Sequence, residues 1–85
     1  MRQLNRTDII LLKTLLTESA DAPQKGMTID EVMQVSKTDK SRITIYRRLK
    51  NLIAIDFIAN GVLSDHADTF YLLDEGKSFL TGGSK

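Results

Sequence analysis

Six basic residues crowd into fourteen positions between Lys37 and Lys50: Lys37, Lys40, Arg42, Arg47, Arg48 and Lys50, opposed only by Asp39. A guanidinium or ammonium neutralises phosphate, and arginine can also take guanine O6 and N7 in a bidentate pair. The window carries +5, so the other 71 residues carry −4 and the chain's net +1 conceals a basic segment on an acidic body. That is the charge footprint of a nucleic-acid partner, and equally of a solvated helix face. Interleaved with the cations are Ser41, Thr44, Tyr46 and Asn51, which can donate to phosphate or base edges. Ile43 can meet a thymine methyl or stand as an isolated exposed side chain.

Other chemistry is thin. With no cysteine, disulfides, thiolate metal sites and cysteine nucleophiles are excluded. His66 is the single histidine; it could sense pH or phosphate, but a lone loop histidine more often has no such role. The carboxylate pairs Asp30/Glu31 and Asp74/Glu75 read as helix N-terminal charges, because a catalytic pair needs a pocket and a shifted pKa. A chain of 85 residues and 9.5 kDa makes one domain. It buries only ~60–65% of its unfolded surface, leaving little room for the ~300–1,000 Å³ of a substrate pocket. A binding module is expected, with no enzyme activity, cofactor or metal. Hydrophobic content of 41%, charged content of 27% and one proline fit a globular chain. The longest apolar runs, Ile9–Leu12 and Leu52–Ile55, are too short to span a bilayer. No basic-then-apolar leader opens the chain, so a cytoplasmic location is expected.

The elements that must position these residues follow from periodicity and caps. Residues 7–19 predict a helix, with Thr7 as N-cap and Asp8 in its first turn. Its apolar arc is wider than one stripe needs, so it is either deeply buried or a dimer seam through Ile9, Leu12 and Leu16. Residues 20–27, holding Pro23 and Gly26, read as a loop that can end in a short strand. Thr28-Ile-Asp-Glu31 is a capping box opening a short helix to about Val35, with Ile29, Val32 and Met33 inward. Residues 36–40 break it. The next helix runs from near Ser41 to about Ile55 and turns Ile45, Leu49 and Leu52 inward. Lys40, Ile43, Arg47 and Lys50 fall on its opposite face, Thr44 and Asn51 to one side and Tyr46 to the other. Arg42 and Arg48 flank the buried stripe, with the Arg48 stem packed on the core edge. Residues 57–63 and 69–73 alternate as a β-hairpin around the loop 64–68. Asp74 can N-cap a last turn through Leu80, with Phe79 and Leu80 packing back.

Helix, loop, short helix, polar turn, basic amphipathic helix and hairpin is the order of a winged helix-turn-helix. The residues resemble that superfamily closely. The segment Ser41-Arg-Ile-Thr-Ile-Tyr-Arg-Arg-Leu-Lys-Asn-Leu52 looks like the recognition helix of small bacterial, archaeal and phage winged-helix repressors. Phe57-Ile58 looks like the apolar pair leading into the wing. Tyr71-Leu-Leu-Asp-Glu-Gly-Lys-Ser-Phe-Leu80 resembles the family's closing strand and helix start. The fold class implied is α+β, mostly α: three helices, a C-terminal hairpin wing and a short terminal helical turn. One domain over residues 1–80 and a flexible tail over 81–85 are expected.

The resemblance implies a sequence-specific transcriptional regulator that binds double-stranded DNA as a homodimer, through Lys40, Ser41, Arg42, Thr44, Tyr46, Arg47 and Lys50. The alternative is a winged-helix protein-docking module without sequence-specific DNA binding. Three departures stand out. Asp56 occupies the usual glycine position after the recognition helix, and Asp74 replaces a usual threonine. The wing tip Ser64-Asp-His-Ala-Asp68 is acidic where basic residues commonly reach the backbone, and two carboxylates there would repel phosphate.

Overall fold

The computed structural model describes residues 4–62 and 68–82. Helix α1 spans Arg6–Thr17, a 3-10 turn spans Pro23–Lys25, and strand β1 is Met27–Thr28. Helix α2 is Ile29–Ser36 and α3 is Arg42–Ala54. Strands β2 (Ile58–Asn60) and β3 (Thr69–Leu72) lead into α4 (Asp74–Thr81). The sheet is antiparallel in the order β1-β3-β2. The mixed, mostly helical architecture is the one the sequence predicts, with two enlargements. The loop before α2 contributes a third strand, pairing Met27 with Phe70. The terminal turn is a two-turn helix of eight residues.

Helix α1 is central, packing on α2, α3, α4 and β3. This placement explains its wide apolar arc: Leu11, Leu12 and Leu15 are all fully buried within the chain. Leu12 therefore belongs to the core and is withdrawn from the expected dimer seam, while Ile9 and Leu16 stay half-buried. The helix also begins earlier than expected. Asn5, not Thr7, is its N-cap: the Asp8 N–H donates to Asn5 Oδ1 at 2.9 Å and the Asn5 N–H donates to Asp8 Oδ2 at 3.0 Å. This is a reciprocal capping box in which aspartate takes the usual glutamate's place.

The second capping box matches its sequence signature. Glu31 N–H donates to Thr28 Oγ1 at 3.2 Å, and Thr28 N–H to Glu31 Oε1 at 2.9 Å. Ile29 and Val32 then meet Ile45, Leu49 and Leu52 of α3 in the core. The core-facing row of the sheet supplies Met27, Ile58, Phe70 and Leu72. Asp74 is the first residue of α4, not its cap; the cap is Leu73, without a side-chain bond. Leu80 packs on the core, while the Phe79 ring lies 5.3 Å from that of Phe57 yet stays partly in solvent. Gly76 permits this packing, since a Cβ there would sit 2.5 Å from the Phe57 carbonyl oxygen.

Candidate nucleic-acid interface

The polar turn between α2 and α3 begins at Lys37, which caps α2 in the left-handed region at φ 54° and donates its N–H to Met33 O at 3.0 Å. Ser41 then N-caps α3: its Oγ accepts from the Thr44 N–H at 3.2 Å, and its hydroxyl donates to Thr44 Oγ1 at 3.1 Å. Asp56 closes α3 in the left-handed region at φ 63°, so it adopts the backbone a glycine would have supplied.

Between these caps α3 separates two stripes. Ile45, Leu49 and Leu52 are fully buried. Ile43, Tyr46, Arg47, Lys50 and Asn51 are exposed, at the i, i+3, i+4, i+7 and i+8 spacing of one helix face. The sequence-predicted contact residues thus gather at the N-terminus and along the outer face of α3. Lys40, Ser41, Arg42, Tyr46, Arg47 and Lys50 are exposed and Thr44 is half-buried. From Ile43 to Lys50 the face runs about 10 Å along the axis, close to the ~12 Å width of a major groove.

The cations are not equivalent. Arg42 is ion-paired with Asp30 at the start of α2, a contact between two exposed side chains. The Lys50 ammonium lies 5.7 Å from the centre of the Tyr46 ring. Arg48 turns inward: its Nε donates to Asp8 Oδ1 at 2.8 Å and its Nη2 to Asp8 Oδ2 at 2.6 Å. Asp8 is fully buried and the Arg48 side chain is 26% exposed. The hydrogen bonds it donates to the Asp8 carboxylate hold the Arg48 guanidinium above its ordinary pKa. Lys37, Lys40, Arg47 and Lys50 carry no carboxylate partner among the described residues.

The Asp8–Arg48 pair is the feature that sequence reasoning missed. It joins residues forty positions apart, and the signal was faint: an aspartate inside an otherwise apolar helical arc, and an arginine preceding a core leucine. The carboxylate accepts three hydrogen bonds, two from Arg48 and one from its own cap. It fixes the start of α1 against the middle of α3, which sets the rotation of α3 about its axis and so where the outer stripe points.

At the root of the hairpin, Thr69 Oγ1 donates to Val62 O at 2.7 Å, Gly61 N–H to Thr69 O at 2.9 Å, and Val62 N–H to Pro23 O at 3.0 Å. The acidic tip beyond it, including Asp65 and His66, lies outside the described residues; Asp68, at its near edge, is exposed. Among the described residues no group of three or more acidic or histidine side chains could hold a metal ion, and no helix is long and apolar enough to cross a membrane.

A short capped helix, a left-handed turn, a second helix with segregated stripes and a following strand pair define the winged helix-turn-helix fold. Among solved structures, TubR from Bacillus megaterium pBM400 is similar at a TM-score of 0.78 and 25% identity, covering 91% of this chain and 82% of that one. The DNA-binding TubR fragment from Clostridium botulinum gives 0.74 at 21% identity, covering 95% of this chain and 98% of the fragment. MepR of S. aureus, solved as a complex with DNA, gives 0.75 at 17% identity over 93% of this chain and 60% of MepR. No family model and no curated protein sequence matches the chain.

Proposed function

We propose that this protein is a sequence-specific double-stranded-DNA-binding transcriptional regulator that acts as a dimer. The observation that carries the reading is the outer stripe of α3, where Ile43, Arg47 and Lys50 stand exposed opposite the helix's buried stripe, flanked by the exposed Tyr46 and Asn51. Such a helix can enter a major groove without disturbing the core. Two of the similar structures are described as DNA-binding or DNA-bound, which supports the same reading.

In this mechanism Arg47 reads a base, with guanine O6 and N7 as its natural bidentate acceptors. Lys40, Ser41 and Thr44 meet phosphate at the N-terminal end of α3, where the helix dipole favours an anion. Lys50 and Tyr46 contact the backbone on the far side and set register. Arg42 exchanges its exposed bond with Asp30 for phosphate. Ile9 and Leu16 remain the candidates for a seam along α1, and a two-fold dimer would match a palindromic operator. Regulation follows from occupancy of the operator, in the bacterial or archaeal cytoplasm.

The test is a duplex titration by fluorescence anisotropy at several salt concentrations. Lys40, Arg42 and Lys50 give three phosphate-contacting cations per protomer and about six per dimer, which predicts a log–log salt slope near −5. A protein that sediments only as a 9.5 kDa species removes the dimer from the proposal. Absence of saturable duplex binding at low salt removes DNA recognition and leaves a protein-docking module.

A further inference from the structure

Ile43 is 68% exposed, more than any other large apolar side chain described. It lies at the second position of α3 and is neither in the core cluster nor packed against it. Around it on the outer face stand Tyr46, Arg47 and Lys50, so an aliphatic side chain occupies the N-terminal corner of a polar, cationic stripe. Nothing in the fold requires it. A β-branched residue at an exposed helix position is a weaker helix former than the lysine, glutamate or alanine that would fit equally well. Local choices that disagree with the fold and have no structural compensation concentrate where function operates.

We infer that Ile43 is a specificity-determining residue of this face and selects thymine by burying its C5-methyl group. The inference rests on the DNA-binding reading above. The thymine methyl is the apolar group that the standard bases offer in the major groove. Polar side chains gain nothing from it, whereas an aliphatic one removes both surfaces from water. Branching at Cβ adds a second advantage. In a helix isoleucine is confined to one dominant χ1 rotamer, so its methyl groups are already placed and little side-chain freedom is lost on contact. Arg47, one helical turn further along, lies on the same face, so a base-reading arginine and a methyl-reading isoleucine would sample adjacent base pairs.

The experiment separates this inference from the reading it rests on. Duplexes that bind the wild-type chain are first enriched from a randomised library. Each thymine of the enriched site is then replaced singly by deoxyuridine, which deletes only the methyl group, and binding is measured by anisotropy. With the wild type, one or two positions per half-site should lose about three- to five-fold in affinity, the effect of one buried methyl. Ile43→Ala, which deletes the contact at both half-sites, should lose about the square of that factor on the thymine duplex and bind the thymine and uracil duplexes equally. Arg47→Ala should remain methyl-sensitive at the same position. Ile43 is exposed and alanine is the better helix former, so Ile43→Ala should unfold at or slightly above the wild-type midpoint. The inference is overturned if the wild type binds every uracil duplex as tightly as its thymine counterpart, or if Ile43→Ala keeps the full methyl sensitivity. Either result leaves DNA binding intact. Failure to enrich any sequence overturns both.

Discussion

Replacing Arg48 with methionine keeps the aliphatic stem and deletes the guanidinium fork. Asp8 is then left fully buried with one remaining donor, the Asn5 N–H. Breaking a buried ion pair from one side is destabilising by ~3–5 kcal/mol, because the remaining charge has no solvent to return to. A domain of this length has only ~4–13 kcal/mol of stability in total. A loss of ~3 kcal/mol should lower Tm by ~12 °C or more, at ~4–8 °C per kcal/mol for a domain of this size. The reverse deletion should be milder. Asp8→Asn keeps an acceptor for the Asn5 N–H, and Arg48 is 26% exposed and can turn toward water. The asymmetry is therefore diagnostic, with Arg48→Met worse than Asp8→Asn and the double variant less damaging than the sum. Urea and thermal unfolding followed by far-UV circular dichroism would measure all three. A loss under ~1 kcal/mol for Arg48→Met, the range of an exposed pair, would refute the argument, as would strict additivity in the double variant.

Gly76→Ala should destabilise by ~1–3 kcal/mol in the same unfolding assay, because the new methyl group must push α4 away from the Phe57 carbonyl; unchanged stability would mean α4 is free to shift. On DNA, Arg47→Ala should weaken the cognate site by ~1–3 kcal/mol and relax discrimination there, whereas Lys50→Ala should weaken all duplexes alike and reduce the salt slope by about 2, one for each protomer of the dimer. Equal small losses for both variants on cognate and scrambled duplexes would remove base reading by Arg47. Asp21 is held below its ordinary pKa of 3.8 by the hydrogen bond and charge of Lys77. A carboxylate whose native pKa is depressed stabilises the fold above its unfolded pKa, and that contribution is lost as pH falls through the lower native value. Asp21→Asn should therefore be less stable than wild type at neutral pH and converge with it in strong acid, so a constant gap across the titration would count against the Asp21–Lys77 contact.

What was legible in the sequence was what local spacing encodes. Thr28 and Glu31 announce their helix start because a capping box is a four-residue signal, and Ile45, Leu49 and Leu52 announce a buried face because they repeat at helical period. The Asn5–Asp8 box carries a similar signal, but the apolar run beginning at Ile9 drew the start toward Thr7. The wide apolar arc of α1 was ambiguous in principle. Periodicity reports how much of a helix is apolar, not whether its own chain covers it, and four packed elements do so here. Met27–Thr28 is too short to show alternation, and its pairing with β3 is created by tertiary packing. The Asp8–Arg48 pair was hidden for the same reason. The predicted contact residues of α3 are placed on one surface by helical phase alone, while the commitment of Arg42 to Asp30 comes only from the fold.

The two stripes of α3 share a backbone and almost no atoms. Ile43, Arg47 and Lys50 contribute nothing to the core, so they can be exchanged with little consequence for folding. Leu49 and Arg48, interleaved with them in the chain, can hardly be exchanged at all. In evolutionary terms the helix divides into a frame that resists exchange and a text that tolerates it. A lineage could rewrite that outward face one residue at a time without passing through an unfolded intermediate. Divergence among descendants of this chain should therefore be fastest on that outward stripe and slowest at the buried carboxylate that orients it.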